Sequence, residues 1–269
     1  MERRKLLTSS LAASALALSG SPFSQQAAQT PSATAGREYY LLRRYQVLWG
    51  PQVRAAHNFF RDALVPALNR LEIKPVGVFN ARIGPDTPAI YVLLPCTSLE
   101  TLANLEEHLA QDSEYLKAGA AFLNAPSLQP SYVRVQATLL RALDGWPKLI
   151  LPAATAQHGP RLFELRTYEN LTDQDHKRKI EMINAGYYDI FQKAGFWQVF
   201  YGDTLFGARM PDLTYMLGFS DMTERDKNWA AFFASPAWKS LSTLPRYTFE
   251  DIVSKVSNII LSPADYSQI

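Results

Sequence analysis

A single cysteine, Cys96, stands in the whole chain, so no internal disulfide can form and burial must hold the fold together. Cys96 itself reads as a small buried hydrophobe rather than a reactive thiol. Histidine is also scarce, with four in 269 residues, and no two sit at the helical spacing of a metal pair. No cysteine or carboxylate cluster surrounds them, so no metal site is legible. Charge of one sign is missing as well: 27 Lys and Arg against 25 Asp and Glu leave +2, spread evenly, which argues against nucleic acid as a partner. There is no Gly-rich phosphate loop, dinucleotide fingerprint or nucleophile elbow. Long apolar runs are absent too. The one candidate, Leu6 to Leu18, is interrupted by Thr8, Ser9, Ser10 and Ser14 and is too short and polar to form a stable transmembrane anchor.

That interrupted stretch follows the basic residues Arg3, Arg4 and Lys5 and precedes Ser-, Pro-, Gln- and Ala-rich sequence without periodicity. This order is that of an export signal. Arg3-Arg4-Lys5-Leu6-Leu7 further resembles the twin-arginine motif of folded-protein export, although Glu2 stands where Ser or Thr is usual. Residues 1–36 are therefore expected to be a signal peptide and disordered linker. Cleavage would follow Ala33-Thr34-Ala35 or fall earlier, near Gly20, and the destination would be periplasmic or extracellular.

What the chain does contain is a repeat. Tyr40-Leu41-Leu42-Arg43-Arg44-Tyr45 returns 123 positions later as Phe163-Glu164-Leu165-Arg166-Thr167-Tyr168, and the offset persists across most of each half. Pro88 to Thr97 lies over Pro211 to Ser220, and Asp112-Ser113-Glu114-Tyr115 over Ser235-Pro236-Ala237-Trp238. One unit, duplicated and fused, explains a register held so long. The domains expected are 37–143 and 161–269, joined by a linker over 144–160 that carries Trp146-Pro147, Pro152 and Gly159-Pro160.

Hydrophobic periodicity gives both halves the same order of elements. The first half reads as a strand over Tyr39 to Leu48, then a helix opening at Gly50-Pro51 with Val53, Ala56, Phe60, Ala63, Leu64, Ala67 and Leu71 on one face. Pro66 should kink that helix. Strands over Val76 to Ile83 and Ile90 to Leu94 flank a Gly84-Pro85-Asp86 turn. A second helix, capped by Thr97 or Ser98, carries Leu102, Leu105, Leu109 and Leu116, and Tyr132 to Leu140 closes the unit. The second half reads as strands over Leu162 to Tyr168, Trp197 to Tyr201, Leu213 to Phe219 and Phe249 to Leu261. Its helices carry Ile180, Ile183, Tyr187, Ile190 and Phe191, and span Thr223 to Leu241. Each half is thus β-α-β-β-α-β, a ferredoxin-like unit with one apolar sheet face left to bury. Two such faces bury each other. The expected fold is α+β: two tandem ferredoxin-like units forming a single-chain dimeric α+β barrel with helices outside.

Phe163-Glu164-Leu165-Arg166-Thr167-Tyr168 resembles the opening signature of the NIPSNAP family, and Ser235-Pro236-Ala237-Trp238 resembles its Pro-x-Trp element. The first half is a degenerate version, with Leu41 in place of Glu and Ser113 and Tyr115 in place of Pro and Trp. The resemblance implies the dimeric α+β barrel fold, shared with small ligand-binding proteins, cofactor-free monooxygenases and haem-dependent relatives, and does not imply one activity.

Among residues able to carry chemistry, Arg43 with Tyr45 and Arg166 with Tyr168 occupy matching positions, each pair sharing one strand face. Arginine could hold a carboxylate there, or pair with a nearby acid while the tyrosines fill the core edge. Glu164 lies on the same face as Arg166 and, with its pKa raised, would be a proton acceptor. Trp197, with Phe200 and Tyr201, could line an apolar pocket between sheet and helices or simply be core. Glu164, Arg166, Tyr168, Trp197, Arg43 and Tyr45 are therefore the candidate pocket, no catalytic residue is assigned, and any site is expected in the second half. No cofactor is expected, haem being a minor alternative with His57 as the best-placed axial ligand.

Three readings of function remain. One is an exported protein binding a small apolar or amphipathic molecule, or a protein partner, through the barrel. The second is a cofactor-independent monooxygenase-like or isomerase-like enzyme with a pocket in the second half, and the third a haem-binding protein. Homo-oligomerisation is left open.

Overall fold

The computed structural model describes residues 36–269 apart from Asp86 and His158. The export signal, the twin-arginine-like motif and the cleavage sites lie outside the described residues, as do the tip of the Gly84-Pro85-Asp86 turn and one of the four histidines. Eight strands close into one antiparallel barrel, in the order β1-β3-β2-β8-β5-β7-β6-β4. They are β1 (Tyr39–Gln46), β2 (Gly77–Ile83), β3 (Ala89–Cys96), β4 (Arg134–Ala142), β5 (Leu162–Glu169), β6 (Trp197–Phe206), β7 (Asp212–Phe219) and β8 (Lys255–Pro263). Closure removes every sheet edge, and the two seams, β2 with β8 and β4 with β6, join the first half of the chain to the second.

Side chains alternate across this wall. On β1, Tyr40 and Leu42 point into the barrel while Tyr39, Leu41 and Tyr45 face the outer helices. On β5, Phe163 and Leu165 point inward and Tyr168 outward. The barrel is consequently lined by Tyr40, Phe79, Leu140, Phe163, Phe200, Met216 and their neighbours, all buried. Two further clusters, one per half, fill the space between the wall and its helices.

The helices of the first half are α1 (Pro51–Phe59), α2 (Val65–Arg70), α3 (Leu99–Ala103), α4 (Leu105–Gln111) and α5 (Ser113–Leu123). A π-helical turn, Phe60–Leu64, joins α1 to α2, with Val65 N–H bonded to the Phe60 carbonyl. This is how the chain accommodates Pro66, which has no N–H to give. In the second half come α6 (Ala153–Ala156), α7 (Asp173–Met182), α8 (Tyr188–Lys193), α9 (Met222–Ala234), α10 (Pro236–Ser242) and α11 (Phe249–Ile252), and a second π turn, Ile183–Tyr187, joins α7 to α8.

Three elements differ from the sequence reading. The single helix expected after Ser98 is three: α3 ends and α4 begins at Asn104, and Asp112 caps α5, its carboxylate accepting from Tyr115 N–H at 2.9 Å. Leu116 is thereby rotated off the core and left exposed, and Tyr115 and Phe122 are buried instead. The helix expected over Thr223 to Leu241 breaks at Ser235-Pro236, where proline starts a new helix and Ser235 caps it. Finally, Phe249 begins the short α11 rather than a strand, and Ile252 and Val253 plug the outer core before β8 starts.

Candidate functional site

The expected pocket around Glu164 is a packed ionic knot instead. Glu164 has no exposed surface, and its carboxylate takes four hydrogen bonds: from Arg166 Nη1 at 3.0 Å, Arg225 Nε at 2.8 Å, Arg225 Nη2 at 2.9 Å and Trp229 Nε1 at 2.9 Å. Burial by itself would raise its pKa, but Arg225, Arg166 and Trp229 outweigh burial and hold it below the ordinary value. A carboxylate so held is a poor proton acceptor, which corrects the expectation of a raised pKa. Arg166 lies over the Trp229 ring at 4.3 Å, and Tyr168 OH meets Tyr215 OH at 2.8 Å. Beside them Lys179 is fully buried, donating to Tyr187 OH at 2.6 Å, and desolvation followed by the Arg166 charge pushes its pKa well down.

The other sequence candidates do not join this group. Arg43 and Tyr45 lie on the corresponding outer face of β1, with Arg43 paired to Glu106 at 2.6 Å and Tyr45 packed on Phe60 at 4.8 Å. Trp197 is half-buried at the start of β6, beside Trp146, Ile150 and Pro152 of the linker, in a shallow cavity of about 310 Å³. Phe200 points into the barrel and Tyr201 outward, as neighbours on a strand must. The two therefore share no pocket wall. His57 uses both ring nitrogens, at 2.7 Å from Tyr266 OH and 2.8 Å from Asn80 Oδ1. Binding iron there would break one of these bonds. Among the described residues no cluster of three or more His, Cys, Asp or Glu could hold a metal ion. No helix among them is long and apolar enough to cross a membrane.

A second space lies on the other face of the same strands, inside the barrel. A cavity of about 330 Å³ opens at the end where β1 and β5 finish, lined by Leu42, Arg44, Tyr91, Thr138, Leu165, Thr167, Asp212, Thr214 and Ile259 among others. Its far end is stoppered by aromatic pairs, Tyr40 on Phe200 at 4.9 Å and Phe79 on Phe163 at 5.2 Å. The wall is mixed. Leu42, Leu165 and Ile259 are apolar, whereas Thr167 and Thr214 hydroxyls meet at 2.8 Å, and Arg44 donates to Gln136 at 2.7 Å. At the mouth Arg209 donates to Glu169 at 3.0 Å and to Ser257 at 2.9 Å.

Asp212, first residue of β7, is the buried acid of this wall, with 4% of its surface exposed. Thr204 donates to its Oδ1 at 2.7 Å. Desolvation raises its pKa; Thr204, Arg209 and His176 oppose this, Glu169 adds to it, and the outcome lies above the ordinary value.

Both halves build the cavity. Under the 123-residue offset Leu42 faces Leu165, Arg44 matches Thr167, Tyr91 matches Thr214, and Ala89 stands where the second half has Asp212. A site in the second half alone was the sequence expectation; this cavity is lined from both halves. Sequence reasoning missed it by one residue of strand parity: Arg44 and Thr167 are the neighbours of the residues chosen. It also began the seventh strand at Leu213, leaving Asp212 in the turn. The available signal was an acid directly preceding a run of apolar strand residues.

Residues 163–268 match the NIPSNAP family model. No curated protein matches the chain in sequence. Among solved structures, a proposed monooxygenase of Lactobacillus acidophilus superposes with a TM-score of 0.55 at 6% identity, covering 84% of this chain and 94% of its own. A proposed monooxygenase of Fusobacterium nucleatum gives 0.56 at 10% identity, with 85% and 93% covered. A NIPSNAP-like domain protein of Burkholderia xenovorans is similar over 40% of this chain and 88% of its own, at 19% identity and a TM-score of 0.35. The first two likenesses establish the barrel fold and leave the reaction open.

Proposed function

We propose that the chain is an exported binding protein whose barrel cavity takes one small amphipathic molecule. The observation that carries this reading is the cavity itself, about 330 Å³ deep inside an otherwise filled barrel, with an apolar floor and a polar wall. Its mouth supports an amphipathic occupant: Leu48 and Trp49 after β1, and Phe206 and Met210 in the β6–β7 hairpin, are exposed at that end of the barrel. Outside the barrel the cavity beside Trp197 is shallow, and the layers between wall and helices are filled by packed apolar side chains.

We further propose that the barrel arose by fusion of two ferredoxin-like units, 37–143 and 161–269. The strand orders β4-β1-β3-β2 and β8-β5-β7-β6 support this, as do π turns 123 residues apart. Export rests on residues 1–36 alone.

A second reading, a cofactor-independent monooxygenase-like or isomerase-like enzyme, is favoured by one observation, the buried Asp212 in the cavity wall. It would act in this cavity and not at Glu164.

Native mass spectrometry of protein taken from the periplasm of its own host tests the first reading. The expected result is a mass lacking the N-terminal segment and one retained small molecule, which is lost in Leu165→Trp. A full-length mass would overturn export, and a ligand kept by Leu165→Trp would overturn the cavity.

A further inference from the structure

The cavity wall holds a carboxylate and a hydroxyl pair in an arrangement suited to moving a proton. Asp212 Oδ1 is engaged by Thr204, whereas Oδ2 has no hydrogen-bond partner among the described residues. An unengaged carboxylate oxygen lining a cavity is a proton acceptor in search of a donor. Two residues further along the same strand face, about 7 Å by strand geometry, stands Thr214, bonded to Thr167 across the β5–β7 pair. Within that pair one hydroxyl donates and the other accepts. The acceptor's own hydrogen has no protein partner among the described residues and can be turned toward the cavity.

We propose that Asp212 is the catalytic base of a proton-transfer site, acting on a small amphipathic carbonyl compound with an acidic α-carbon, while the Thr167–Thr214 pair donates to the carbonyl oxygen. This rests on the binding reading of the cavity. In the step, the α-C–H bond breaks, its proton passes to Asp212 Oδ2, and its electron pair forms a carbon–carbon double bond as the carbonyl π pair moves onto oxygen. The enolate oxygen is held by the threonine hydroxyl. Return of the proton to the same carbon gives exchange, and return to a conjugated carbon gives isomerisation. Nothing is oxidised or reduced, and no co-reactant is consumed.

The surroundings suit this role. Arg209 from the β6–β7 hairpin and His176 from α7 favour the carboxylate, while burial and Glu169 of β5 oppose it. With its pKa raised, chiefly by desolvation, Asp212 is a stronger base than an ordinary carboxylate. Glu164, the acid singled out by sequence, lacks this freedom because all its bonds are spent on arginine and tryptophan.

Deuterium incorporation into 2-tetralone, a small bicyclic ketone, tests the assignment with the full chain in D₂O, alongside a binding isotherm for the same ketone. Wild type is expected to bind it saturably and to exchange its α-hydrogens roughly 100-fold or more faster than Asp212→Asn. Asp212→Asn should keep its melting temperature and its affinity. Thr214→Val, an independent variant, should slow exchange about 10-fold or more without loss of binding. The wild-type rate should rise with pH through one ionisation that Asp212→Asn lacks. Equal exchange by wild type and Asp212→Asn, with binding intact, overturns the base while the cavity reading stands. Binding that is absent in wild type, or unchanged in Leu165→Trp, overturns the cavity reading and this one with it.

Discussion

Replacing Glu164 with glutamine removes one charge and almost no volume, yet it should be among the most damaging single changes in the chain. Four donors converge on the native carboxylate. A carboxamide offers one acceptor oxygen, and its NH₂ turns two hydrogens toward guanidinium or indole N–H groups that also donate. Arg166 then loses its counter-charge in a site where Glu164 has no exposed surface and the Arg166 side chain only 11%, while Arg225 keeps Asp226 at 2.8 Å. Breaking a buried pair from one side costs about 3–5 kcal/mol, which for a domain of this size lowers the melting temperature by roughly 6–20 °C. Arg225, with 21% of its side chain exposed, can recover some solvation, so the lower half of that range is expected. Because the folded pKa of Glu164 is depressed, its contribution is fully present above the unfolded value near 4.5 and fades as pH falls through the folded value. Thermal unfolding by circular dichroism at pH 7 and pH 3 measures both effects, and Glu164→Gln with Arg225→Met should be less than additive. A shift below about 2 °C at pH 7 would refute the view that this knot holds the second half together.

Three further outcomes follow from the packing. Gly202→Ala would place a Cβ 2.8 Å from Leu140 Cβ inside the barrel, and the overpacking should destabilise by about 1–3 kcal/mol, read as a lower denaturant midpoint. Asp221 caps α9 by accepting from Glu224 N–H at 2.9 Å, so Asp221→Ala should lose about 1 kcal/mol in the same assay, with circular dichroism locating the loss in helix. Lys179 has a depressed folded pKa, so the unfolded chain binds the extra proton and stability should rise with pH up to about 10, by no more than about 1.4 kcal/mol per unit. In Lys179→Met that slope should vanish, which denaturant midpoints taken from pH 7 to pH 10 will show.

Much of the architecture was open to a reader of the sequence, because alternation and helical spacing are local properties. The apolar runs at Tyr39, Ile90, Leu162 and Leu213 are strands where the pattern puts them, and Gly50-Pro51 and Ser98 do start helices. Helix interruptions at Asp112 and Pro236 were harder, since a capping residue inside an apolar repeat is overridden or obeyed according to what the helix packs against. The candidate site was half legible. Glu164, Arg166 and Tyr168 do meet, as their spacing on one strand face requires, and only their surroundings decide that they are an ion-paired knot without open space.

By itself, the sequence determined where most strands and helices lie and which side chains share a face, because periodicity is carried residue by residue along the chain. Only the tertiary structure decided where space is left. A cavity is the difference between the wall that eight strands enclose and the side chains that fill it, and here Leu42, Arg44, Thr167 and Asp212, from strands far apart in sequence, are too small or too far out to fill the last 330 Å³.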